Sequence, residues 1–369
     1  MKFLVTPDSF KGSISAKRVC EIVKDAILEQ NKNNTVYTFP AFDGGEGSAE
    51  YLTEIFHGNQ IRMPAKNATG ETENSTFGMA GETAFIAVAD TSGLPNAKIK
   101  DPAVTTTYGM GEQIKEAIKR GAKTVVLALG GSSTNDGGAG AATALGAKFF
   151  DKDGKTFLPT GGTLGKIEKT DVSDLEKAVK GVKFIALCDV KNPLTGKNGC
   201  SYVYGGQKGA DTEEKKEELD RNMKCFEKVT AFLGKDGSEE GSGAAGGLGY
   251  FTRAFLKGEL VSGADYFLDA IKFDELVKDV DYVVCGEGKF DNTSSQGKIC
   301  GKIIGRAQKA GKKVVVFCGA TDCETSPENT AVYVISDKNL PLKLNMERGE
   351  ENLKKSAEKM MKDIVKGTF

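Results

Sequence analysis

One run of small and hydroxyl-bearing residues concentrates more chemistry than any other: Leu129-Gly130-Gly131-Ser132-Ser133-Thr134-Asn135-Asp136-Gly137-Gly138-Ala139-Gly140. Glycines let backbone N–H groups converge, hydroxyls add donors, and a following helix brings positive partial charge at its N-terminus. Those are the ingredients of a phosphate cradle. A tight turn with close helix packing uses the same residue types, so both readings stand. Asp136 could hold a metal ion or cap the helix that follows. Five other segments set carboxylates, amides and lysines beside glycine: 7–13, 43–47, 189–199, 207–209 and 286–291. Phosphoryl transfer needs this mixture. Lysines and backbone donors meet phosphate oxygens, carboxylates hold magnesium, and one carboxylate accepts the proton of the attacking hydroxyl. A single Asp-Gly is an ordinary turn, and only the joint occurrence points to chemistry.

Other motifs narrow the choice. Gly165-Lys166, Gly196-Lys197 and Gly297-Lys298 lack the upstream glycine and downstream hydroxyl of a Walker A loop. Gly241-Ser242-Gly243-Ala244-Ala245-Gly246 matches GxGxxG but follows a polar run instead of a strand. The dinucleotide-fold context therefore fails, and a ligand loop and a flexible turn are both open. The sole histidine, His57, precedes Gly58 and reads as a helix-terminal cation, which leaves no basis for a histidine zinc site or a Ser/His/Asp triad.

The elements that position these residues follow two rhythms. Phe3–Val5 reads as a strand, and Ser15 as the N-cap of a helix with Ile14 and Val19 as its hydrophobic staple. The buried stripe of that helix is Val19, Ile22, Val23, Ala26 and Ile27. A strand at 35–39 and a helix at 48–57 complete a βαβα pattern, which predicts a parallel sheet. After Gly58 the segments 60–65, 71–79 and 83–89 are short, β-rich and joined by glycine turns, which predicts antiparallel pairing. A helix at 106–120 closed by Gly121, a strand at 124–129, a helix at 139–145, a strand at 184–188 and a solvated helix at 211–228 follow. The βα rhythm returns with strands at 282–285, 313–318 and 330–336 and helices at 296–310 and 350–365. The economical reading joins 1–58 with 281–369 into one doubly wound α/β domain and makes 59–280 an inserted α/β domain with a mixed sheet.

Composition excludes several classes. The 369 residues suit about two domains. Lys plus Arg is 50 against 51 Asp plus Glu, without the basic excess of a nucleic-acid binder. No apolar run approaches membrane-span length, and the start has too short an apolar stretch for a signal peptide. Eight cysteines without a CxxC, with Cys188, Cys285 and Cys318 read as buried thiols, fit a reducing cytoplasm.

In combination, several motifs resemble the bacterial glycerate kinase family. They are Pro7-Asp8-Ser9-Phe10-Lys11, Asp43-Gly44-Gly45-Glu46-Gly47, Asp101-Pro102 with Thr106-Thr107, the Gly130–Gly140 run and Cys188-Asp189-Val190 with Asn192-Pro193-Leu194. Gln207-Lys208-Gly209-Ala210, Gly243-Ala244-Ala245-Gly246-Gly247 and Gly286-Glu287-Gly288 extend the resemblance. It implies transfer of phosphate from ATP to D-glycerate, generally forming 2-phosphoglycerate. It also implies a flavodoxin-like α/β domain interrupted by a second α/β domain, with the active site in the cleft. Three positions depart from the family pattern: Ser133 stands for alanine, Gly206 for proline and Lys289 for arginine. Lysine keeps the charge at position 289 and loses the bidentate fork.

Residue chemistry then suggests roles. Gly130, Gly131, Ser132, Ser133, Thr134, Gly137 and Gly138 are expected to cradle ATP phosphates, with Lys11 neutralising the migrating group. Asp189 is the expected base for the glycerate hydroxyl. Asp8, Asp43, Glu46 and Asp136 are candidates for Mg2+, directly or through water. Asn135 and Lys208 are expected to hold the glycerate carboxylate, with Glu287 and Asp291 serving metal or substrate. Small-molecule substrates are the expected partners, without nucleic acid or membrane, and a homo-oligomer is compatible with the sequence. A kinase for another small hydroxy acid, a phosphatase, and a cytosolic two-domain anion-binding protein are the alternatives.

Overall fold

The computed structural model describes residues 1–42, 44–45, 47–95, 97–291, 298–323 and 326–369. Its strands in chain order are β1 (Lys2–Val5), β2 (Thr35–Thr38), β3 (Asn59–Lys66), β4 (Thr72–Ala80), β5 (Thr83–Ala87), β6 (Thr124–Ala128) and β7 (Lys148–Phe150). These are followed by β8 (Thr156–Phe157), β9 (Lys169–Asp171), β10 (Lys183–Leu187), β11 (Glu259–Val261), β12 (Tyr282–Phe290), β13 (Lys313–Thr321) and β14 (Thr330–Val334). The chain divides into two units, Met1–Asp43 with Ala264–Phe369, and Gly44–Gly263.

The first unit holds a parallel sheet in the order β14-β13-β12-β1-β2. Counted within the unit this is the flavodoxin order, which reverses direction at β1 and β12. The Ala16–Gln30 helix is capped as its sequence predicts: the Ser15 hydroxyl accepts from the Arg18 N–H at 3.3 Å. Val19, Ile22, Val23, Ala26 and Ile27 are all buried on its inner face. Each large aliphatic group there contributes about 1.5–3 kcal/mol, against about 1 kcal/mol for the cap. Burial therefore decides which face turns inward, and the cap fixes where the helix starts. Leu353, Met360, Met361 and Ile364 of the Gly349–Lys366 helix join the same core.

The second unit is built on a mixed sheet in the order β11-β10-β6-β5-β4-β3. β3, β4 and β5 pair antiparallel, as the glycine-turn spacing predicts, and β5, β6, β10 and β11 run parallel. A ring cluster including Phe149, Phe226, Tyr250, Phe251 and Phe255 lies within its core, with Phe226 stacked on Phe255 at 6.0 Å.

Several boundaries differ from the sequence expectation. The units divide after Asp43 and before Ala264, instead of after Gly58 and before Asp281. The Ser48–Ile55 helix packs on β4 and β5, which takes it into the second unit. The Gly263–Ala270 helix is tied to the first by Phe267 against Phe42, and by Asp265 and Asp269 paired with Arg306. β12 runs through Gly286, Glu287 and Gly288, a segment expected to be loop, because β13 continues to pair with it through Phe290–Thr321. The strand expected to reach Ala89 stops at Ala87, where the Val88–Ser92 helix begins. The three-stranded sheet β8-β7-β9 has strands of two or three residues, too short to leave an alternating pattern. All eight cysteines are free thiols, and Cys188 is half-buried where burial was expected.

Candidate active site

In the second unit the parallel strands end level with one another. Ala87 pairs with Ala128, Ala128 with Leu187, and Leu187 with Val261. Each strand then delivers its next residues to the same edge: the glycine-rich loop after β6, Cys188-Asp189 after β10, and Ser262 after β11. Carboxyl ends of parallel strands are where open α/β sheets bind ligands. Segment 44–45 lies against this row. Gly130 N–H donates to the Gly44 carbonyl at 2.9 Å, and a β-carbon on Gly130 would stand 2.5 Å from Gly45 Cα. A β-carbon on Gly44 would stand 3.1 Å from Leu187 Cβ. Glycine is required here because two backbones touch.

Only the start of the glycine loop faces outward. Gly130 is half-buried and Gly131 exposed, whereas 132–138 are all buried. The Ser133 N–H and hydroxyl both donate to the Ser92 carbonyl, at 2.8 and 2.9 Å. The Ser132 and Thr134 hydroxyls bond each other at 2.8 Å, and Gly137 N–H donates to the Gly246 carbonyl at 2.9 Å. Gly138, at φ 77°, sits so close to Phe251 that a β-carbon would approach its Cβ to 2.4 Å. Ser132, Ser133, Thr134, Gly137 and Gly138, expected to meet phosphate, are thus all packed inside the fold. Gly130 and Gly131 remain as the accessible rim.

Asp136 is likewise an internal clamp. Its Oδ2 accepts from Thr107 N–H at 2.8 Å, the Thr107 hydroxyl at 2.9 Å and Gly140 N–H at 3.2 Å, and its Oδ1 accepts from Gly138 N–H at 3.1 Å. Burial raises its pKa above the usual carboxylate value, opposed by these donors. Of the two roles open to it, capping is the one these bonds match, since the Gly140 N–H lies in the first turn of the Ala139–Ala144 helix. Among the described residues no three His, Cys, Asp or Glu side chains stand close enough to hold a metal ion.

Asn135 and Lys208, expected at a substrate carboxylate, are also buried. The Asn135 amide donates to the Ser201 hydroxyl at 3.0 Å, and its buried Oδ1 lacks a protein donor. Lys208, 2% exposed, donates from Nζ to the Thr134 carbonyl at 2.7 Å. Burial pushes its pKa down to about 8, with Cys200 and Asp136 acting in the opposite direction. The GxGxxG segment is closely packed: a β-carbon on Gly246 would lie 2.8 Å from Asn135 Cα, and one on Gly243 would lie 2.2 Å from the Pro193 carbonyl oxygen.

Asp189 differs from all of these. It is exposed, and its Oδ1 accepts from the Ser262 hydroxyl at 2.6 Å. Sequence reasoning passed over Ser262, since a lone serine after a three-residue strand carries no motif. It passed over the role of Thr107 too, whose only sign was its place in the quoted Thr106-Thr107 pair.

In the first unit, candidates gather where the strand order reverses. Thr6 N–H donates to Val284 O at 2.7 Å and Asp8 N–H to Gly286 O at 2.8 Å, so the chain after β1 runs on beside β12. Asp8 is half-buried and its Oδ1 accepts from Ser9 N–H at 2.6 Å. Phe10 and Ile14, each 3% exposed, exchange backbone hydrogen bonds and anchor a turn that leaves Lys11 exposed at its tip. Glu287, 8% exposed, sits on β12 opposite Cys318. Asp291 is half-buried with Lys298 Nζ 3.9 Å away, and Lys289 pairs with Asp322 at 2.6 Å. Asp43 and Glu46 lie outside the described residues. A separate hollow of about 590 Å3, lined by β14 and residues of the C-terminal helix, involves none of the candidates. Among the described residues no helix is long and apolar enough to cross a membrane.

Comparison with known proteins extends these observations. The sequence matches the glycerate kinase family over residues 3–365. It is 38% identical over 339 residues to the glycerate kinase of Bacillus cereus, covering 90% of this chain and 88% of that protein. Glycerate 2-kinase of Escherichia coli (strain K12) is 37% identical over 326 residues, covering 87% of this chain and 85% of that one. A crystal structure provisionally described as glycerate kinase 2, from Salmonella typhimurium LT2, superposes with a TM-score of 0.83 at 32% identity. It covers 100% of this chain and 99% of that chain. The family match spans nearly the whole chain and the relatives are more than 30% identical over most of their length, so the chain belongs to the glycerate kinase family.

Proposed function

We propose that this chain phosphorylates D-glycerate from ATP, with 2-phosphoglycerate as product, by direct in-line transfer in the cytoplasm. The observation that carries the reading is the level row of strand ends at Ala87, Ala128, Leu187 and Val261, with exposed Asp189 and the Gly130-Gly131 rim on one edge. In this reading the rim's backbone meets ATP phosphates and Asp189 accepts the proton of the attacking hydroxyl. Lys11, held outward by its anchored turn, neutralises the migrating group. Glu287 and Asp291 are assigned to the substrate side. Asn135, Asp136 and Lys208 support the glycine loop from within.

Magnesium supplies charge neutralisation on the phosphates when bound, usually through one or two carboxylates and several waters. Half-buried Asp8 fits that requirement, and Asp43 and Glu46 are proposed with it. A three-carboxylate cage is not needed.

Asp189→Asn keeps size and removes basicity. The expected result is a 10²–10⁴-fold fall in turnover with the melting temperature unchanged. Turnover within about tenfold of the parent would remove Asp189 as the base. Substrate class is tested by offering glycerate and other small hydroxy acids with and without ATP. Glycerate should be consumed only with ATP, and preference for another acid would overturn the substrate assignment.

A further inference from the structure

Ser262 has no motif around it, yet the sheet places it with care. β10 and β11 pair in register through Leu187 and Val261, and the ladder extends one step further, with Cys188 N–H donating to the Val261 carbonyl at 2.8 Å. That step sets residue 262 beside residues 188–189. The Ser262 hydroxyl then reaches Asp189 Oδ1 at 2.6 Å, within the range of a strong hydroxyl–carboxylate bond. The two residues are 73 apart in sequence, and the paired strands alone bring them together. A carboxylate on an exposed strand end rotates about two side-chain torsions, and a bond to one oxygen restricts both.

We propose that Ser262 is a positioning residue for phosphoryl transfer, orienting the Asp189 carboxylate toward the acceptor hydroxyl. The inference rests on the reading of Asp189 as the base. Ser262 acts through Asp189 and touches no reacting atom in this account. Stability has little share in it, because a hydrogen bond at an exposed site largely replaces one to water and brings little net gain. Alignment matters more, since small misplacements of a reacting group cost one to two orders of magnitude in rate.

The test is a double-mutant cycle in the full chain, with turnover and KM for ATP read alongside melting temperature. Ser262→Ala should lower turnover about tenfold with KM for ATP unchanged, and Ser262→Thr, which keeps the hydroxyl, should recover most of it. In an Asp189→Asn background Ser262→Ala should cost nothing further. If Ser262→Ala does not fold, Ser262→Cys, close in size and a weaker donor, takes its place. A loss of less than twofold on Ser262→Ala, or an equal loss in both backgrounds, would overturn the positioning role. If Asp189→Asn itself keeps parental turnover, the base assignment fails and Ser262 loses its role with it. If Asp189→Asn collapses while Ser262→Ala does not, only the present inference fails.

Discussion

The two units offer chemistry at strand ends by different devices. In the first, the flavodoxin order reverses at β1 and β12, and the following segments leave Asp8 half-buried and Lys11 exposed on a short anchored turn. In the second, the parallel strands follow one another without reversal, and the edge is shaped by glycine backbones pressed together. Gly130 meets Gly45, Gly247 meets Gly137, and the intervening hydroxyls and Asp136 are consumed by internal bonds. Richness in polar residues thus marks two things. Where donors have partners inside the fold it marks a rigid support, and the residues that face outward are the ones proposed to react. The substitutions below separate the two, because support residues should fail in stability and reactive ones in turnover.

Beyond Asp189→Asn, the largest effect is expected within the support. Gly138→Ala must adopt φ 77° and overlap Phe251 Cβ. A loss of about 3 kcal/mol is expected, read as a shift in denaturant midpoint. A shift below about 0.5 kcal/mol would mean that the glycine loop is not a close-packed support.

Next comes the reactive side. Lys11→Ala should reduce turnover about 100-fold, equivalent to about 2.7 kcal/mol of barrier, while the melting temperature stays put. Unchanged turnover together with unchanged ATP affinity would take Lys11 out of the site.

The smallest effect is a pH linkage. Lys208 is held down at about 8 by burial, against a model-compound value of 10.5. Between those values the unfolded lysine carries a proton that the folded one lacks, so folding becomes more favourable as pH rises. Below about pH 8 both forms are charged and that contribution is gone. The parent should therefore gain about 1 kcal/mol per pH unit over Lys208→Met between pH 8.5 and 9.5, measured by paired urea titrations. A constant difference across that range would place Lys208 in a solvated setting.

What the sequence reveals follows the distance over which each feature is determined. The Ser15 cap and the stripe from Val19 to Ile27 are legible because cap, staple and face are all set within a few turns. The glycine loop is legible as a feature, while its use of donors is not. Asp136 is satisfied by Thr107, 29 residues away, and Thr134 by Lys208, 74 residues away. No local pattern encodes such pairings. The same holds for Ser262 with Asp189, and for β12, whose extension through two glycines exists only because β13 runs beside it. The unit boundaries were displaced for a related reason, since helices at 48–55 and 263–270 are claimed by partners remote in sequence.

Phosphorus NMR of the products formed from ATP and D-glycerate tests the central claim most directly, run in parallel on the parent chain and on Asp189→Asn. The parent should accumulate 2-phosphoglycerate and ADP, and the variant should leave ATP nearly untouched over the same interval. Absence of any phosphorylated glycerate from the parent, or its formation by Asp189→Asn at the parental rate, would contradict the account.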